Sequence, residues 1–141
     1  MSFNETFVIN NNTGYELVLD TVNSQNLDGA WPTSVPAYSN RSFPQSASLL
    51  DINPTAIYQM QGANPANSAT LHFYCAGVGL TVQVTVSLKY SGTFIAGSWI
   101  SETNTQNGGT TTSTPNGDGY LEISDFGNNS SRGTATFTLG S

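Results

Sequence analysis

His72 and Cys75 are the chain's one histidine and one thiol, three residues apart. Nucleophilic Cys–His catalysis would have to be built from them, with the imidazole in hydrogen-bond reach of the sulfur. The segment Leu71-His72-Phe73-Tyr74-Cys75 reads as extended chain, and residues an odd number apart on a strand point to opposite faces. Cys75 shares a side with Leu71 and Phe73 and reads as a small core residue. His72 shares the wet side with Thr70 and Tyr74, so the spacing argues against a dyad.

Other chemistry fares no better. A zinc site needs three or four His, Cys or carboxylate ligands at workable spacing, and none is recognisable. No G-x-S-x-G elbow and no phosphate-binding glycine pattern occurs. Asp118 and Asp125 lie in loops rich in carbonyl oxygens but in no twelve-residue calcium loop. A glycosidase needs two carboxyls ~5–9.5 Å apart. Glu16 and Asp20 share a strand face at about 13 Å, although pairs meeting across strands stay open. The expectation is a protein that is not an enzyme and carries no cofactor or metal.

Aromatic side chains remain. Trp31 and Tyr38 stand in a Pro-rich stretch, Asn23–Pro44, and Trp99 near the end of a strand. An apolar ring with a polar tip suits sugar rings, choline headgroups and the membrane interface. Long loops lie on the surface, so Trp31, Tyr38 and Trp99 are the candidate ligand-binding residues; ordinary sandwich core is the other reading of each.

The elements that must hold these residues are strands. Leu80–Tyr90, LTVQVTVSLKY, puts Leu80, Val82, Val84, Val86, Leu88 and Tyr90 on one face and Thr81, Gln83, Thr85, Ser87 and Lys89 on the other. Unbroken alternation of period two means a long strand, one face buried and one wet. Phe3–Asn10, Tyr15–Val22, Ala56–Met60, Ala69–Ala76, Phe94–Ser101, Gly119–Ser124 and Gly133–Leu139 carry weaker forms of the pattern. Turn chemistry separates them at Asn12-Thr13-Gly14, Asp28-Gly29, Asn53-Pro54, Asn64-Pro65, Ser91-Gly92, Asn116-Gly117 and Gly127-Asn128. The fold class is all-β: an antiparallel sandwich of roughly eight to ten strands, with a closed barrel as the alternative. Asn23–Pro44 reads as a long loop with one edge strand at most, and Thr103–Gly117, TNTQNGGTTTSTPNG, as a low-complexity hairpin tip.

The 141 residues suit one domain spanning 1–141. Only 9% of them are charged, against the ~25% usual in globular chains; Asn, Ser, Thr, Gln and Gly take their place. Seven Phe, six Tyr and two Trp are there to be buried, so the chain reads as folded rather than disordered. Net charge is −6, with Arg41, Lys89 and Arg132 the only fixed cations. Nucleic-acid binding depends on Lys and Arg displacing counterions, which excludes it here, and purely electrostatic attachment to anionic lipid fails likewise. A lone Cys75 allows no intrachain disulfide. No secretory leader pattern opens the chain, so the expectation is either synthesis in a cytosol without a classical signal peptide, with action outside the cell, or a chain that is already mature. Sequons at Asn4, Asn11, Asn40, Asn128 and Asn129 are what chance gives in so Asn- and Ser/Thr-rich a chain.

The opening Phe-Val-Ile-Asn, then Asn-Thr-Gly, then Leu-Val-Leu, followed by Gly29-Ala30-Trp31-Pro32 and a short run to Phe43, resembles the leaderless β-sandwich proteins of the aegerolysin and actinoporin-like cytolysin groups. Leu71-His72-Phe73-Tyr74-Cys75 ahead of a long strand fits the same pattern, which covers a third of the chain. The resemblance implies a sandwich that binds membrane lipid headgroups, or glycans as related mushroom lectins do, and that serves as a cytolysin or toxin component. Many aegerolysins carry a basic, Trp-rich second half and actinoporins an amphipathic N-terminal helix; this chain has no such second half, and Met1–Asn10 reads as a strand. The charge deficit supports a second reading: a self-assembling structural protein, such as a crystal, coat or surface-layer subunit, and so a homo-oligomer. Few long charged side chains mean little entropic cost and little repulsion at packing contacts.

Overall fold

The computed structural model describes residues 3–47, 51–62, 67–78, 81–92, 99–105, 110–113, 118–126 and 133–140. Leu80, Phe94, Arg132, the sequons at Asn128 and Asn129, and the expected turns Asn64-Pro65, Asn116-Gly117 and Gly127-Asn128 lie outside them. Eleven strands form among the described residues: β1 (Phe3–Asn11), β2 (Glu16–Asn23), β3 (Ser34–Val35), β4 (Ser39–Ala47), β5 (Thr55–Gln61), β6 (Asn67–Val78), β7 (Thr81–Ser91), β8 (Trp99–Thr105), β9 (Thr110–Ser113), β10 (Gly119–Ser124) and β11 (Thr134–Leu139). They build a five-stranded sheet, β4-β1-β11-β10-β9, and a six-stranded sheet, β3-β2-β5-β6-β7-β8. Both sheets keep free edges, so the molecule is an all-β sandwich and not a closed barrel.

β7 carries the period-two row into the core. Val84, Val86, Leu88 and Tyr90 are fully buried, with Gln83 exposed and Lys89 half-buried on the other face; the side chain of Val82 lies outside those described. β6 pairs with β7 from Ser68↔Ser91 to Val78↔Thr81 and supplies Leu71, Phe73 and Cys75 to the same buried layer. The facing layer comes from Phe7 and Ile9 of β1, Leu121 and Ile123 of β10, and Ala135, Phe137 and Leu139 of β11. Phe7 sits at the centre, its ring centroid 4.9 Å from Phe73, 5.4 Å from Trp31, 5.8 Å from Phe43 and 6.0 Å from Phe137. Burial of side chains this size contributes about 1.5–3 kcal/mol each before packing is counted.

Three elements depart from the sequence reading. Asn23–Pro44 contributes to two edge strands rather than one at most: Ser34–Val35 forms β3 at the edge of the larger sheet, and Ser39–Ala47 forms β4, the edge strand of the smaller sheet, paired to β1 with Thr6 opposite Pro44. An edge is where a strand tolerates proline, because no ladder donor is needed on the open side. The threonine run is not wholly a tip either. Thr110–Ser113 forms β9 against β10, as a β-branched run can once a partner strand is beside it. Finally, the ladders are antiparallel except one, β1 with β11, which run parallel from Thr6↔Thr134 to Asn11↔Leu139. Hairpins cannot make such a pair; the whole intervening chain is its connection.

Candidate functional site

Asn11 closes the buried row of β1, and its amide organises one end of the sandwich. Nδ2 donates to the carbonyls of Tyr15 at 2.7 Å, Val35 at 3.1 Å and Pro36 at 3.0 Å, while Oδ1 accepts from Thr13 N at 3.0 Å and Thr13 Oγ1 at 2.6 Å. One buried side chain thus ties the β1–β2 turn to the segment between β3 and β4. That segment presents Tyr38, 75% exposed, with a backbone φ of +55°. Its N–H donates to Thr13 O at 3.2 Å. Non-glycine residues adopt this left-handed region at a cost and keep it only where their surroundings impose it. The ring lies over Gly14, where an added Cβ would come 3.2 Å from the Tyr38 hydroxyl. Tyr38 is an aromatic held out in water by a fixed loop.

Trp99 stands on the outer face of the larger sheet, 48% exposed, beside its cross-strand partner Lys89. The Lys89 ammonium lies 5.2 Å from the ring centroid, a cation–π arrangement. Ladder pairing continues that row through Thr70 to Ile57, and the next row runs Ser101, Ser87, His72, Thr55. Among the described residues the face is hydroxyl-rich and carries Trp99, Tyr74 and the cation Lys89.

Trp31 is elsewhere. It is a core residue, 6% exposed, edge-on to Phe7 and 5.3 Å from Phe43. The expectation that it stands with Tyr38 on a loop surface is thereby corrected: β4 folds back onto β1 and covers the indole. Tyr38 and Trp99 do not meet either. They belong to opposite edges of the sandwich, five strand spacings apart in the larger sheet, or roughly 24 Å at ~4.8 Å per step.

The parity separating His72 from Cys75 is observed. Cys75 is fully buried, and burial, then the negative charges of Glu5 and Asp51, push its thiol up to about 12. His72 Nε2 hydrogen-bonds Asn53 Oδ1 on the outside, and partial burial holds its pKa below the usual histidine range. Burial likewise raises Tyr90 to about 12; its hydroxyl donates to Asp118 O at 2.6 Å and accepts from Gly140 N at 3.2 Å. A thiol protonated at neutral pH and an imidazole on the far face of a strand offer no nucleophile–base pair. Among the described residues no three His, Cys, Asp or Glu side chains converge as a metal site would require.

Sequence reasoning missed Asn11 and an inward pair of polar residues, Glu5 and Gln45, each almost fully buried. The signal was there for Glu5, which stands in phase with Phe7 and Ile9 on β1. Gln45 became readable only with β4, and Asn11 only with the three carbonyls it collects.

No protein-family model matches the chain, and no curated protein does. Among solved structures the chain is similar to "lipid binding protein Nakanori", with a TM-score of 0.42 and 12% identity over 100% of this chain and 72% of that one. A likeness that loose transfers no activity.

Proposed function

We propose that the protein is a non-enzymatic binding module that docks on membrane lipid headgroups or glycans with Tyr38 as its anchor, acting outside the cell that makes it. The observation that carries this reading is the Tyr38 loop itself: a largely exposed aromatic in left-handed backbone, locked by the buried Asn11 amide. Fixed presentation matters energetically, because an anchor already ordered loses little entropy on binding. Aromatic anchors of this kind carry a large share of the affinity at interfaces. Trp99 with Lys89 supplies a second, separate contact surface.

The test is sedimentation of the full chain with sphingolipid-containing and plain phosphatidylcholine vesicles, a glycan array, dye release from the vesicles, and light scattering of the free protein. Tyr38→Ala should melt within about 1 kcal/mol of the parent, as exposed truncations do, and lose vesicle or glycan binding. Dye release that depends on Tyr38 would assign the cytolysin role. Retained binding in Tyr38→Ala would sink the anchor. Loss of self-association with no ligand found would replace binding by assembly.

A further inference from the structure

The interlayer carries buried polar side chains at both ends: Asn11 and Thr13 near Tyr38, and Glu5 and Gln45 at the other. Glu5 of β1 and Gln45 of β4 are direct cross-strand partners. Both point inward, 4% and 3% exposed. Neither carboxyl oxygen of Glu5, and neither the nitrogen nor the oxygen of the Gln45 amide, has a hydrogen-bond partner among the described residues. Native interiors satisfy nearly all such groups, so four orphans on two adjacent side chains mark a place that receives something polar. The four orphan atoms are closed off from solvent, so a ligand reaches them by turning the two side chains into one of the cavities beside them. A cavity of about 280 Å³ is lined by Glu5, Gln45, Asp28 and Ser46, and one of about 330 Å³ by Glu5, Asp125 and Thr134. No described Lys, Arg or His lines either.

We propose that the cavity at Glu5 and Gln45 binds a small ammonium compound that also carries hydroxyl oxygen, an amino alcohol or amino sugar. The orphan groups define this complement. Two carboxyl oxygens and one amide oxygen call for N–H or O–H donors, and the Gln45 NH2 calls for one acceptor oxygen. Asp28 and Asp125 add negative potential, which favours a cation and repels an anion. A bare metal ion would leave the Gln45 NH2 unsatisfied, and no three-residue cluster of metal ligands stands there among the described residues.

Proton linkage follows. In the free protein burial raises the Glu5 carboxyl to about 10, so it is protonated at neutral pH. The titratable groups around it are Asp28 and Asp125 on the cavity walls and, through Cys75 of β6, Asp51. Burial is the cause of the Glu5 shift, and Cys75, pushed up to about 12, remains a neutral thiol. An arriving ammonium ionises Glu5 and expels one proton, so affinity for ethanolamine should rise about tenfold per pH unit between about pH 6 and 8, and that for glucosamine should level off towards the upper end as its own amine loses its proton. The site lies six residues along β1 from Asn11, roughly 20 Å away, and does not rest on the Tyr38 reading.

Isothermal titration of the full chain with ethanolamine and with glucosamine at several pH values tests this. Choline lacks N–H donors and ethylene glycol lacks charge; neither should bind. Glu5→Gln keeps the shape and removes the charge, and should weaken binding at least tenfold while still melting cooperatively. Gln45→Met supplies the same comparison if Glu5→Gln does not fold. Phosphatidylcholine vesicles with and without phosphatidylethanolamine separate a lipid headgroup from a free amine, and headgroup binding lost in Glu5→Gln supports the site. Absence of saturable binding by either amine, equal binding of choline, or full binding in Glu5→Gln would overturn the proposal. Arg132 precedes Gly133 in the chain and lies outside the described residues. Tenfold or greater tightening in Arg132→Ala would show that the cavity's cation is the chain's own guanidinium, and would overturn the proposal as well.

Discussion

Side chains of one chemical type have opposite fates here. Trp31, Tyr38 and Trp99 are indistinguishable as recognition candidates in sequence, yet one is core, one projects into water and one shares a sheet face with a lysine. Trp31→Ala should cost about 3–5 kcal/mol, as buried aromatics do. Trp31→Phe should cost far less, because it keeps the ring packing and removes an indole N–H that has no partner among the described residues. Chemical denaturation of the two variants side by side measures the difference. Cys75 is equally decided by its surroundings. Its buried, protonated thiol should react with a thiol reagent only as fast as the protein opens, so labelling at the rate of a free thiol in native buffer would contradict the burial.

At the scale of elements, alternation and capping do different work. β7 needs no special residue, only a face that can be buried. Val84→Ala should cost about 1–3 kcal/mol through lost burial and a residual cavity, and Val84→Asp should prevent folding by placing a charge between the sheets. A soluble, cooperatively melting Val84→Asp protein would mean the other face is the buried one. The Asn11 loop is a polar device. Asn11→Ala removes the amide's bonds to three carbonyls and to both Thr13 donors at once, leaving the Thr13 hydroxyl only the Tyr15 backbone, and should cost at least about 2 kcal/mol, since each buried group left unpaired carries ~1–3 kcal/mol of desolvation. It should also weaken binding by Tyr38 without touching the ring. The long alternating row of β7 was legible from the chain alone. β4 was not, because Asn40, Arg41, Ser42 and Pro44 disguise an edge strand whose only inward residues are Phe43, Gln45 and Ala47.

For the whole molecule the dominant titration is that of Glu5. Its carboxyl is raised by burial from 4.5 to about 10, so between those values the folded state holds a proton that the unfolded state has released. Stability from this group is full below the unfolded value and falls as pH rises towards the folded one. His72 works in the reverse sense: its lowered pKa contributes stability above the ordinary histidine range that is lost as pH falls. The two separate above about pH 7, where His72 is neutral in both states. Melting temperature should therefore decline from neutral to mildly alkaline pH, and Glu5→Gln should flatten that decline.

The sequence by itself determined that the chain is all-β with β7 in its core and Cys75 inside, because period-two alternation is a local property that any strand partner would respect; the free sheet edges, which only the fold shows, chose the sandwich over the closed barrel. It also disfavoured a Cys–His dyad, since parity along one strand is fixed by the backbone. Tertiary structure alone decided that Trp31 is covered and Tyr38 is not, that β1 and β11 lie side by side in parallel, and that Glu5 meets Gln45. Each of these depends on which distant segments become neighbours. Burial of a side chain, and the company of a buried carboxyl, are properties of the partner strand rather than of the residue's own neighbours in the chain.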